Sequence, residues 1–242
     1  MRPFLSALVA AAVLAAGMVV AAWVIADGLR EVRTGERTVA VKGLAERDVK
    51  ADLALWPMRF VATSNALDEA QAKIAADATT IAAFLGQAGI GREEIAVQSI
   101  EVTDLLAQAY RSGPVESRFI VAQTLMVRSP EVDRIAAASQ KVGDLVARGV
   151  VLSGDGPAAG PAYVFTGLNA IKPGMIAEAT RNARAAAEQF ATDSASHLGG
   201  IRTASQGLFQ ILPRDDAPGE TESRQINKTV RVVATLEYAL AR

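Results

Sequence analysis

The sequence predicts an α+β fold, with antiparallel sheets and helices packed on one face, behind an N-terminal membrane segment. Three observations carry this reading. Apolar residues alternate along several β-branched stretches, they recur at three- and four-residue spacing along alanine-rich stretches, and turn residues separate the two kinds. Half of the 242 residues are hydrophobic but only 5% are aromatic. Alanine-rich helices account for much of that content, and their small faces suit a thin two-layer domain.

The first element is the N-terminal run. After Arg2 there is no charge until Asp27, and Phe4 to Ala26 reads FLSALVAAAVLAAGMVVAAWVIA. As a helix this run spans roughly 34 Å, enough to cross a bilayer core of about 30 Å. It is longer than the apolar core of a cleavable signal, which favours a retained anchor over residues 1–26, with Trp23 near a headgroup boundary. Cleavage after Ala26 is the competing reading. Arg30, Arg33, Arg37 and Lys42 follow the run and, by the positive-inside rule, would hold the domain in the cytoplasm. A tail this short before an apolar segment instead marks an export signal, so charge alone leaves orientation open.

Residues 27–37 read as a polar linker, and 38–242 as the folded part. Thr38–Ala45 and Val49–Thr63 alternate and predict two strands with a turn near Glu46–Asp48. Pro57 lacks an N–H, so its strand should bulge there or lie at an edge. Ser64 or Asn65 can cap a helix whose inner face is Leu67, Ala70, Ile74, Ala78, Ile81 and Leu85, ended by Gly86 and Gly89. Glu94–Leu105 and Ser117–Arg128 predict a hairpin with an extended tip around Ser112, Gly113 and Pro114. Ser129 and Pro130 open a second helix, with Val132, Ile135, Ala136, Val142 and Val146 inward and Gly149 closing it. Short strands follow at Val150–Ser153 and Ala162–Thr166. A long helix is expected from about Pro173 to Leu198, with Glu178–Arg181 and Arg184–Glu188 as solvent-face pairs and Gly199 and Gly200 as its stop. Phe190, in step with Ile176, Ala179, Ala183 and Ala186, should be buried. Strands at Thr203–Leu212 and Asn227–Leu240 finish the chain. The order ββαββ thus occurs twice, over 38–128 and 148–240, with little identity between the halves; an internal duplication is one reading of the pattern.

Chemistry is sparsely marked. His197 is the single histidine and cysteine is absent, so a three- or four-ligand zinc site cannot be assembled and no disulfide framework exists. His197 is expected in the last turn of the long helix, where it complements the negative helix end, and no nucleophile or acid is spaced to make it a general base. The Ser153–Gly160 stretch SGDGPAAG lacks the Lys-Ser or Lys-Thr of a phosphate loop. Asp215, Asp216, Glu220 and Glu222 lack calcium-loop spacing. Arg181 and Arg184 each have an acidic helix neighbour, and Trp56 beside Pro57 reads as a core or interface anchor. The sequence therefore assigns no catalytic, cofactor-binding or metal residue. Arg2 is the sole charge before Asp27, so the remainder carries 24 basic and 26 acidic side chains, formally −2, which argues against nucleic acid as a partner.

Three stretches, TVAVKGLAERDVKADLALWP (Thr38–Pro57), ATRNARAAAEQFATDSASHLGGIRTASQG (Ala179–Gly207) and VRVVATLEYAL (Val230–Leu240), resemble the SIMPL-domain family of YggE-like bacterial envelope proteins. The resemblance runs from about Thr38 to Leu240. It implies an envelope location, a ββαββ-like α+β fold, assembly into homo-oligomers, and a loose link to oxidative or envelope stress. It carries no active-site motif. Taken with the anchor, it implies a single-pass inner-membrane protein attached through residues 4–26, with its folded part in the periplasm. The expectation is a non-enzymatic, self-assembling protein of the cell envelope. The alternative is a periplasmic small-molecule or lipid binding protein, which would show an apolar pocket with a few convergent polar groups.

Overall fold

A computed structural model describes residues 15–26, 37–107, 116–153, 160–215 and 217–241. The order after helical residues 15–26 (α1) is β1 (Thr38–Lys50), β2 (Leu53–Ser64), α2 (Leu67–Gln87), β3 (Ile95–Asp104), β4 (Phe119–Ser129), α3 (Val132–Ser139), α4 (Gly143–Ala147), β5 (Val151–Leu152), β6 (Ala162–Val164), α5 (Leu168–Asp193), β7 (His197–Gln206), β8 (Gln210–Pro213) and β9 (Asn227–Ala241). The ladders whose register is defined are antiparallel, so the chain is α+β. Two compact units divide it: a larger one of Leu44–Ala179 and Gly207–Val233, and a smaller one of Met1–Gly43, Thr180–Gln206 and Ala234–Arg242.

The larger unit is built on a sheet ordered β3-β4-β2-β5, with β6 also on β2. Alternation along β2 sends Trp56, Met58, Phe60 and Ala62 to one side, where they form a buried cluster. Ala70, Ile74, Ile81, Phe84 and Leu85 of α2, Val132, Ile135 and Ala138 of α3, and Leu145 of α4 join it. These helices therefore cover one face. The second sheet is ordered β1-β9-β7, with β8 also on β9. Val41, Leu236 and Tyr238 pack there against Ala183 and Ala187 of α5.

Several expectations are corrected. The first turn lies at Ala51–Asp52, not Glu46–Asp48. Glu46 and Asp48 stay in β1 because β9 supplies partners: Arg231 Nε donates to Glu46 at 2.5 Å and Thr229 Oγ1 to Asp48 at 2.7 Å. Asp52 instead accepts the N–H groups of Thr166 and Gly167 at 2.7 and 2.9 Å, just ahead of α5. That carboxylate, 114 and 115 residues away in sequence, starts the helix before Pro173.

The second expected helix is two. Gln140–Val142 interrupt it, the phase shifts, and Leu145 turns inward while Val146 is exposed. Ser129 accepts the Glu131 N–H at 3.1 Å, so Pro130 precedes the helix instead of occupying its first position. The long helix ends at Asp193, not Leu198. Ala195 takes φ 50, and Ser196 N–H bonds Ala191 O at 2.8 Å, a left-handed cap made without glycine. Gly199 and Gly200 lie in β7 instead. A Cβ on Gly199 would stand 3.0 Å from the Ala239 carbonyl oxygen, a tight contact that glycine avoids where β7 approaches β9.

Phe190 is 59% exposed, contrary to expectation. The buried stripe of α5 is Met175, Ala179, Ala183, Ala187 and Ala191, in steps of four. Pro57 does not break the β2–β4 register, but on its other side it falls between the β6 pairing at Leu53–Leu55 and the β5 pairing at Phe60–Val61. The missing N–H thus sits in a locally unpaired stretch. The ββαββ order recurs, yet β5 and β6 pair with β2 and not with each other. The topology therefore does not establish a duplication. The linker 27–36, the hairpin tip 108–115 and most of the glycine-rich stretch, 154–159, lie outside the described residues.

Candidate interaction surface

The most exposed apolar row of the larger unit is on β3, the end strand of its sheet. In the β3–β4 ladder Ile95 faces Val127, Val97 faces Leu125, Ile100 faces Gln123 and Val102 faces Val121. Those four β4 residues face Trp56, Met58, Phe60 and Ala62 of β2, so all of them lie on the helix-covered side. A bulge between Val97 and Ser99 makes this possible. Spacing along an unbroken strand would send Ile100 and Val102 to the opposite face from Val97. The extra residue keeps them in one row.

Helix α2 packs on β2 and β4. At the edge, Val97 and Ile100 are each 59% exposed and Val102 is 50% exposed. Two ion pairs hold this strand. On the other face Arg59 of β2 meets Glu101 at 2.8 Å. At the hairpin end Arg118 grips Asp104, with Nη2 to Oδ2 at 2.8 Å and Nε to both oxygens at 3.2 Å. The Arg118 hydrogen bonds hold the Asp104 carboxyl below its ordinary value, and Asp104 holds the guanidinium above its own. Arg118 also lies 4.7 Å from the Phe119 ring centroid, and its N–H donates to Asn65 Oδ1 at 3.0 Å. The apolar row is therefore presented on a firmly tied strand.

Residues weighed for chemistry are scattered. His197 opens β7 opposite Ala241 and is exposed, so it does not occupy the last turn of a helix. Glu178 lies 3.9 Å from Arg47 and not against Arg181, whereas Arg184 and Glu188 pair at 3.0 Å as expected. Asp215 packs beside Arg214, and Glu222 is engaged by Lys228; Asp216 lies outside the described residues. Among the described residues no group of three or more His, Cys, Asp or Glu side chains is placed to hold a metal. Trp56 is a core residue.

Sequence reasoning missed two buried charges. Lys228 is fully buried and donates to the Glu222 carbonyl at 2.5 Å as well as to its carboxylate. Asp77, buried on α2, is paired with Lys73, which also donates to Gly149 O at 3.0 Å. Tyr163 lies against Ser139 and Asp133; burial pushes its hydroxyl above the ordinary value, the Ser139 hydrogen bond opposes that, and the Asp133 charge adds to it. A tyrosine so shifted is a weaker acid that keeps its proton, and these groups tie elements together.

The fold defines an α+β domain of antiparallel sheets in which, among the described residues, the outer side of β3 meets no other strand. The chain belongs to the SIMPL family, whose model, described as a protein of unknown function (DUF541), matches residues 39–238. No curated protein matches the chain.

Proposed function

We propose that this is a membrane-tethered, periplasmic member of the family that works by assembling with copies of itself and not by catalysis, with a loose link to envelope or oxidative stress. The observation that carries the assembly reading is the apolar row of Val97, Ile100 and Val102 left exposed on an end strand. A soluble surface gains nothing from such a row, whereas a partner that covers it gains apolar burial and paired backbone. The tether reading rests on the uncharged run Phe4–Ala26. Among the described residues no helix is long and apolar enough to cross a membrane; α1, at 15–26, is the described part of that run.

Four measurements on the full-length chain test this. Carbonate-washed membranes should retain it, and N-terminal sequencing that begins at Asp27 would contradict the tether. A reporter fused after Arg242 should be active in the periplasm; activity confined to the cytoplasm would overturn the orientation. Light scattering in detergent should give a multiple of the single-chain mass, and a clean monomer would favour the ligand-binding alternative.

A further inference from the structure

We propose that the free edge of β3 pairs antiparallel with β3 of a second copy of this chain, about a two-fold axis perpendicular to the sheet and passing between Gln98 and Ser99. This rests on the assembly reading above and supplies its contact surface. Strand β3 ends its sheet, and among the described residues its outer side meets no other strand. Its outward N–H and C=O groups are a template for one more strand.

Self-complementarity identifies the occupant as a second copy. With the axis at Gln98–Ser99, Val97 falls opposite Ile100 of the second copy and Ile95 opposite its Val102. Ala96 falls opposite its Glu101, so no carboxylate meets another across these pairs. An axis perpendicular to the sheet also requires paired residues to lie on the same face. Val97 and Ile100 are three apart and meet that condition because the bulge lies between them. The bulge that guards many edge strands here makes the apolar row match its own inverted copy. An extended peptide from another protein would not need that symmetry. Isologous pairing of one patch with itself is the commonest way soluble chains form dimers, and it would join the two sheets through their β3 edges.

The chain has no cysteine, so single cysteines report register cleanly. Full-length Val97→Cys and Ile100→Cys proteins, mixed in detergent and oxidised, should form disulfide-linked dimers, because the two positions face each other. Either variant alone should cross-link at least several-fold less, since like positions lie about 10 Å apart along the strands. Independently, Val97→Lys with Ile100→Lys should lower the light-scattering mass at least two-fold with circular dichroism unchanged, since both side chains are exposed. If the native protein assembles but the mixture fails to cross-link and the lysine variant keeps its mass, the β3 contact is wrong and the assembly reading stands. If the native protein is monomeric, both fall.

Discussion

Asp52 contributes more to the architecture than its exposed turn suggests. It accepts the N–H groups of Thr166 and Gly167, the two residues that lead into α5, so Asp52→Ala should cost about 1–2 kcal/mol in urea denaturation. A loss within experimental error would show that water replaces the carboxylate. Phe60 is fully buried, and Phe60→Ala should cost about 3–5 kcal/mol. Phe190→Ala, at an exposed position, should cost less than about 1 kcal/mol by the same assay. The difference was not legible in the sequence. The i, i+3, i+4 pattern admits Phe190, but the stripe that packs advances in steps of four to Ala191, about 100° round the helix from Phe190. His197 failed similarly, because an alanine in the left-handed region ended the helix early. Asp104 brings a pH dependence. Its folded-state pKa is lowered, so its pairing with Arg118 stabilises fully above the ordinary carboxylate range and is lost as pH falls through the lowered value. The stability difference between native protein and Arg118→Gln should therefore shrink as pH falls from about 5 to about 2; a difference that persists unchanged would assign the effect to packing on Phe119.

Elements were read best where they are long and one-sided. The α2 face of Ala70, Ile74, Ile81 and Leu85 was visible because its apolar period is regular, and the β3–β4 hairpin because its alternation is flanked by turn residues. Boundaries fared worse. The Ala51–Asp52 turn and the α5 start depend on partners more than a hundred residues away, which local pattern cannot report. The Ala195 cap lends itself to a direct test. An L-residue at φ 50 carries a local cost that glycine avoids. Ala195→Gly should therefore raise stability by about 0.5–1 kcal/mol, and a fall would mean that the alanine methyl contributes packing that outweighs the strain. The β3 edge was legible as a strand but not as an edge, because strand order is a property of the sheet and not of the segment.

At the scale of the whole molecule, the SIMPL family and the α+β class follow from spread strand and helix residues, while the proposed function rests on what the described elements leave exposed. The interior charges Lys228 and Asp77 have partners within the fold, and the exposed aliphatic row lies on a single end strand. That contrast directs the functional reading to a contact between chains. The most direct test is the mass of the full-length protein in detergent, by light scattering across a dilution series. The account gives a species of at least two chains that persists on dilution and dissociates when Val97 and Ile100 are both replaced by lysine; a single-chain mass at every concentration would contradict it.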